Sequence, residues 1–201
     1  MQKKARQSDY MGVWTGISKG LRPLALFVSA TAVLVPRAWA TTLEQLTLDD
    51  MARESTAIVR AKVTGSRAAT RSGNVYTYFQ LQVVESWKGQ GVAEVAVPGG
   101  AADGIRQSVS GAPQLKPGQE YVLFLWTSRS GLTQLIGFSQ GIFKVSGESS
   151  GDAVAQRAAA SELMLSRSGL PVEDRAVNIP LQDLRARVRQ ALITTKTGDP
   201  K

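Results

Sequence analysis

Residues 75–87 read VYTYFQLQVVESW, and this stretch decides the fold class of the chain. Its residues alternate between a mainly apolar face and a face that carries two tyrosines. An alternation with a period of two is typical of a half-buried β-strand. The sequence therefore predicts a long strand with one face against a core. The first face holds Thr77, Phe79, Leu81 and Val83, and the second holds Tyr76, Tyr78 and Gln80.

Similar patterns predict further strands. Residues 57–66, AIVRAKVTGS, predict a strand with one polar side, and residues 67–74 predict a polar loop after it. Residues 120–126, EYVLFLW, are so apolar that we expect a central strand buried on both faces. In all, the pattern indicates five to seven short antiparallel strands between glycine-rich turns, which is typical of a closed barrel or a sandwich. The remaining strand candidates are residues 92–97, 132–138 and 141–145.

Two helices are expected beside the strands. Residues 47–55, TLDDMARES, predict a short N-terminal helix that Thr47 caps. Residues 180–194 predict an amphipathic C-terminal helix, because apolar residues recur there at helical spacing. That stripe consists of Leu181, Leu184, Val188 and Ala191 or Leu192. The expected division is a barrel domain with its N-terminal helix over 41–146, a flexible linker or hairpin extension over 147–179, a helix packing on the barrel over 180–194, and a tail over 195–201.

Residues 1–40 predict a secretory signal peptide. The uncharged run LALFVSATAVLV at 24–35 follows two basic residues, and the small-x-small pattern at Ala38 and Ala40 predicts cleavage before Thr41. The alternative is an uncleaved anchor, but the run is short for a bilayer span, which needs about 20 residues. We therefore expect an exported protein, periplasmic or extracellular, that meets the membrane only through this transient segment.

The chain contains no cysteine and no histidine. This excludes thiol nucleophiles, disulfides and a histidine-based triad, and it leaves only carboxylates for a zinc site, which match that metal poorly. The net charge of +8 belongs mainly to the N-terminus, since residues 41–201 hold 18 basic and 15 acidic residues. That balance lacks the basic stripe usual in nucleic-acid binders. We therefore expect no metal, no cofactor and no nucleic-acid partner.

Residues 137–141, GFSQG, match the G-x-S-x-G pattern of a hydrolase nucleophile. That nucleophile needs a strand–turn–helix setting and a histidine, whereas residues 142–145, IFKV, predict a strand. The glycines are therefore interpreted as a tight bend in the sheet, and no catalytic residue is assigned. A histidine-independent hydrolase that uses Asp103 or Glu120 is a remote alternative.

Five residues form a candidate binding surface. Tyr76, Tyr78 and Trp87 offer rings on which a ligand can stack. Arg185 and Arg189 offer positive charge to an acidic partner or an anionic surface. Packing is the commoner reason for aromatic residues on strands, and a solvated face is the commoner reason for bases near a helix end.

Three segments resemble the netrin-like modules, which include the tissue inhibitors of metalloproteinases. They are residues 55–63, STAIVRAKV, residues 78–89, which end in ESWKG, and residues 116–124, KPGQEYVLF. A closer resemblance, over most of residues 43–193, is to a cysteine-free bacterial version that occurs in secreted proteins, sometimes ahead of matrixin-type zinc metalloproteases. It includes the segments VPGG at 97–100 and GFSQGIFKV at 137–145. The resemblance implies an OB-like closed antiparallel barrel with helices packed alongside.

The resemblance transfers no functional residue. Metalloproteinase inhibitors hold zinc through an N-terminal cysteine and matrixin domains need H-E-x-x-H, and this chain has neither. We therefore expect an exported, non-enzymatic binding module whose partner is another secreted or envelope protein, such as a metalloprotease. The alternative is a protein that binds envelope glycans or polyanions.

Overall fold

A computed structural model describes residues 42–147, 153–160 and 162–197. Within these ranges the protein is mainly β, with two helices and one 3₁₀ turn. The helices are α1 (Leu48–Glu54) and α2 (Leu181–Thr197), and the 3₁₀ turn covers Phe138–Gly141. The strands are β1 (Thr42–Glu44), β2 (Ala57–Arg71), β3 (Asn74–Lys88), β4 (Glu94–Pro98), β5 (Gly100–Ala102), β6 (Ile105–Gln107), β7 (Glu120–Thr127), β8 (Thr133–Leu135), β9 (Ile142–Ser146), β10 (Val154–Arg157), β11 (Leu163–Leu165), β12 (Pro171–Val172) and β13 (Val177–Pro180).

The predicted N-terminal targeting segment lies outside the described residues. This applies to the expected signal peptide, residues 1–40, and to the cleavage junction formed by Ala38, Ala40 and Thr41. Neither of the two described helices is long and apolar enough to cross a membrane.

The longest elements are the two arms of the β2–β3 hairpin. Residue pairs run from Ile58 opposite Lys88 to Arg71 opposite Asn74. The expected loop over 67–74 is wrong, because the strands continue through it to a two-residue turn at Ser72 and Gly73. Both turn residues have positive φ, 49° and 80°, which matches the right-handed twist of the flanking strands. Glycine adopts this conformation without steric cost, so the connection can be short.

Eight strands form the main sheet, in the order β13-β10-β9-β7-β2-β3-β4-β8. The last strand, β8, also pairs with β7, so the pairings trace a ring of five strands: β7, β2, β3, β4 and β8. The link between β4 and β8 is parallel and consists of a single residue pair, Ala96 and Gln134. The expected five to seven strands are therefore too few, because β9, β10 and β13 extend the sheet beyond the ring. Smaller sheets join β1, β11 and β12, and β5 with β6.

The core consists of two clusters on opposite sides of β2 and β7. Along β7, Val122 and Phe124 belong to the first cluster, whereas Leu123 and Leu125 belong to the second. All four side chains are fully buried. The central strand predicted from EYVLFLW is therefore buried on both faces, and it lies between β2 and β9. The start of β2 is also buried on both faces, because Ile58 joins the first cluster and Val59 the second.

Both helices pack against the first cluster. From α2 it receives the apolar stripe Leu181, Leu184, Val188 and Ala191, all of them buried. Full burial of one leucine contributes roughly 2 kcal/mol, so the stripe is enough to fix the helix on the sheet. Thr47 caps α1 as predicted, and Asp50 completes a capping box with it.

The described part of segment 147–179 contains short strands. β10 pairs with β9 and β13 pairs with β10, both antiparallel. Between them, Arg157 makes two hydrogen bonds to Asp174, at 2.7 and 2.9 Å. Burial raises the pKa of Asp174, but the hydrogen bonds from Arg157 and Ala160 outweigh it and lower the pKa overall. β11 pairs in parallel with β1, which ties this segment to the residues before α1.

Candidate functional site

Three of the five candidate binding residues meet in one groove of about 430 Å³. Trp87 enters it from the end of β3, and Arg185 and Arg189 enter it from α2. Residues four apart on a helix lie on the same face, so the two arginines line the groove side by side. We call this site the arginine groove. Its lining is Arg60, Glu85, Trp87, Leu181, Gln182, Arg185, Ala186 and Arg189.

The charges in the arginine groove are partly neutralised within the chain. Arg185 Nη2 lies 2.5 Å from Glu85 Oε1, and Arg60 forms an ion pair with Glu120 at the start of β7. Arg189 is exposed and takes part in no ion pair with the described residues. The groove therefore offers one unpaired guanidinium beside two paired ones.

Trp87 adds an apolar wall and a hydrogen-bond donor. Its half-buried ring packs against the first core cluster, and its buried Nε1 atom has no hydrogen-bond partner among the described residues. An indole N–H can only donate, so it lacks an acceptor such as a carboxylate or carbonyl oxygen. The groove thus combines an exposed guanidinium with apolar side chains, and the buried indole N–H of Trp87 lies beside them.

The neighbouring Lys88 fixes the position of this strand end. Its Nζ atom donates hydrogen bonds to the carbonyl oxygens of Ala52 and Arg53, at 2.8 and 2.7 Å. These carbonyls end α1, where a positive charge is favourable. Burial lowers the pKa of Lys88. β3 is therefore tied to α1 at the residue after Trp87.

Tyr76 and Tyr78 lie in a different place. They precede Trp87 by about ten residues on the same strand, which corresponds to roughly 30 Å of extended chain. Their ring centroids are 6.2 Å apart. Tyr78 is buried, and the guanidinium of Arg67 covers its ring at 4.5 Å from the centroid. The structure thus divides the five residues into the arginine groove and a tyrosine pair whose inner ring is already covered.

The G-x-S-x-G segment forms the 3₁₀ turn and leads directly into β9. A Cβ atom at Gly141 would lie 2.5 Å from the carbonyl oxygen of Ile136, so backbone approach explains this glycine. Gln140 is buried, and its amide binds the backbone of Leu46 and Glu44 at 2.8 and 3.0 Å. The tight bend predicted for this segment is therefore present, and it holds the chain before α1 in place.

Neither carboxylate of the remote enzyme hypothesis lines the arginine groove, although Glu120 adjoins it through its ion pair with Arg60. Asp103 is exposed and accepts a hydrogen bond from Thr70 Oγ1 at 2.7 Å. Glu120 is occupied by its ion pair with Arg60. Within the described ranges, no group of three or more acidic side chains comes close enough to hold a metal ion.

Sequence reasoning singled out Trp87, Arg185 and Arg189 but missed Arg60 and Glu85. Arg60 stands on the polar side predicted for β2, and that polar side was the available signal for it. Glu85 carried no signal in the sequence, since its role depends on how α2 lies across β3. Comparisons with known proteins found no family model and no curated protein that matches the chain.

Proposed function

We propose that this chain is an exported, non-enzymatic binding module that engages another protein through the arginine groove. The observation that carries the proposal is the meeting of Trp87, Arg185 and Arg189 in one groove. Tryptophan and arginine are among the residues that most often dominate binding energy at protein interfaces. An unused N–H donor, a free cation and apolar walls together suit a partner segment rich in carboxylate or carbonyl oxygens.

The distribution of charge favours a protein partner over a polyanion. A polyanion binder gains affinity from a field of unpaired cations along its surface. In the arginine groove, Glu85 and Glu120 already neutralise two of the three arginines. A single free guanidinium beside Trp87 and Leu181 is closer to the mixed centre of a protein interface, where arginine and aromatic residues are enriched.

We further infer that the five-strand ring is an OB-like barrel. Around the ring, the strands follow one another as first, second, third, fifth and fourth in chain order, and the fourth returns to the first. An OB-type barrel is a partly open, five-stranded Greek-key barrel. The single residue pair between β4 and β8 is consistent with its open part.

Export is part of the same proposal. It rests on the basic residues, the apolar run and the small-x-small pattern that precede Thr41. The resemblance to netrin-like modules adds a secreted metalloprotease as the first partner to test.

The experiment is co-purification from the native host with quantitative mass spectrometry. The full chain carries a C-terminal tag and is compared with Trp87→Phe, which keeps a packed ring but removes the N–H, and with Arg189→Ala. The matched control is Arg187→Ala on the same helix, because Arg187 lies away from the groove, beside Leu48 and Asp49.

We expect one exported protein to come down with the wild type and with Arg187→Ala. Its recovery should fall about tenfold or more with Trp87→Phe and with Arg189→Ala. Equal recovery with all four proteins would overturn the assignment of the groove. Salt-sensitive retention on an anionic polysaccharide, with no protein recovered, would replace the proposal with the glycan-binding alternative.

A further inference from the structure

A second cavity, of about 250 Å³, lies beside β9 and β10 on the other side of the molecule's central strands from α2. Lys144 and Gln156, which line it, are opposite each other on these two strands. They alternate along the strands with Phe143, Val145 and Ala155, which face the first core cluster. We call this site the polar cavity. Its polar lining consists of Gln114, Ser139, Lys144, Gln156, Arg157 and Glu162.

Two residues of the polar cavity carry buried polar atoms without partners. They are Ser139, through Oγ, and Glu162, through Oε2. Only three such atoms occur in the described part of the chain, and the third is Trp87 Nε1 in the arginine groove. A buried polar group without a partner costs about 1–3 kcal/mol, so folded proteins rarely keep one without a reason.

Glu162 lies against Gly111. Its Oε1 atom lies 2.5 Å from the point where a side chain at residue 111 would begin. Gly111 therefore leaves the space that the carboxylate occupies, and its φ of +75° also favours glycine. The carboxylate therefore lies close against the backbone of Gly111.

The charges that remain in the cavity have opposite signs. Arg157 is satisfied, since it binds both carboxylate oxygens of Asp174 and the carbonyl oxygen of Arg175. Lys144 is exposed and forms no ion pair with any described residue. Glu162 would repel a ligand that carries only negative charge, and Lys144 would repel a ligand that carries only positive charge. A ligand that carries both charges pairs with both side chains.

We propose that the polar cavity binds a small zwitterion of the amino-acid type. Its ammonium group pairs with Glu162, its carboxylate pairs with Lys144, and Ser139 contributes its hydroxyl. A cavity of about 250 Å³ has room for a free amino acid. The site is independent of the arginine groove.

The test is an NMR titration of the ¹⁵N-labelled full chain with L-serine. Two fragments serve as matched controls: ethanolamine, which lacks the carboxylate, and glycolate, which lacks the ammonium group. The variants are Glu162→Gln and Lys144→Met, which remove one charge each and keep the side-chain length nearly unchanged. Glu173→Gln is the control variant, because Glu173 is exposed and does not line the cavity.

We expect saturable shifts at the amides of Lys144 and Gln156, with a dissociation constant in the millimolar range or tighter. Each charge-removing variant and each fragment should weaken binding about tenfold or more, and Glu173→Gln should not. Absence of saturable shifts with millimolar L-serine would overturn the proposal. So would ethanolamine binding as tightly as serine, or binding that neither charge-removing variant weakens. Spectra that stay unchanged outside the cavity would show that the variants are folded.

Discussion

Replacement of Asp50 by asparagine tests how the N-terminal helix is held. The Asp50 carboxylate is nearly buried, at 6% exposure. It accepts hydrogen bonds from Thr47 Oγ1 at 2.6 Å and from Arg53 Nη2 at 2.7 Å, and Arg167 Nη2 lies 3.1 Å away. The hydrogen bonds from Thr47 and Arg53, followed by the charge of Arg167, lower the pKa of Asp50 from 3.8 to about 2. The ionised form therefore stabilises the folded protein.

The magnitude follows from the two pKa values. Their difference corresponds to roughly 2.5 kcal/mol of free energy of unfolding. Arg53 and Arg167 are exposed, so solvent screening reduces the expected loss to about 1–2 kcal/mol for Asp50→Asn at neutral pH. Because the pKa is lowered in the folded state, this contribution is complete above the unfolded-state value of 3.8 and is lost as the pH falls through about 2.

The assay is urea unfolding of the wild type, Asp50→Asn and the exposed neighbour variant Asp49→Asn. Measurements are made at neutral pH and again near the folded-state pKa of Asp50. We expect the difference between wild type and Asp50→Asn to shrink at the lower pH, and Asp49→Asn to stay within about 0.5 kcal/mol of the wild type. A cost that is the same at both pH values, or no larger than that of Asp49→Asn, would refute the reasoning.

Three further substitutions test individual contacts through the free energy of unfolding. Gly141→Ala should cost about 1–3 kcal/mol, because its Cβ would lie 2.5 Å from a backbone carbonyl oxygen. Its control, Gly91→Ala, has no neighbour closer than 3.8 Å and should cost less than about 1 kcal/mol. Equal costs for the two variants would contradict the account. Ser139→Ala should leave stability unchanged or raise it by up to about 1 kcal/mol, since its hydroxyl lacks a partner; a clear loss would show a missed interaction. Lys88→Met should cost about 1–2 kcal/mol, because it removes two hydrogen bonds to the end of α1. Lys62→Met, at an exposed position, should change the free energy of unfolding little. Similar costs for the two variants would show that the hydrogen bonds of Lys88 do not stabilise the fold.

Periodicity alone was enough to predict several elements. The stripe from Leu181 to Ala191 is buried as its spacing indicated, and EYVLFLW is a central strand with both faces covered. Thr47 caps the first helix. In each of these cases the signal is local, because one stretch of chain contains both the pattern and its consequence.

The expectations that were wrong depend on contacts between distant residues. The polar stretch around Arg67 reads as a loop, yet it pairs along its whole length because Ser72 and Gly73 make a two-residue turn. Ile58, at the start of the polar side predicted for β2, is buried because α1 and α2 pack over the first core cluster, to which it belongs. Local polarity does not report such tertiary burial.

The arginine groove and the polar cavity also depend on contacts between distant residues. Arg185 and Trp87 are 98 positions apart, and they meet because α2 lies across the end of β3. Ser139 and Glu162 gain their significance from burial without partners, which no sequence pattern reports. Trp87, Arg185 and Arg189 could therefore be named from the sequence as candidate binding residues, but the sites that they and the other residues form could not.

The most direct test of the central claim is the affinity of the co-purified partner for single-residue variants of α2. Calorimetry with purified components compares the wild type, Arg189→Ala and Arg187→Ala. A partner that uses the arginine groove should bind Arg189→Ala about tenfold more weakly or worse and should bind Arg187→Ala as tightly as the wild type. Equal affinity for all three proteins would show that the partner binds elsewhere and would contradict the account.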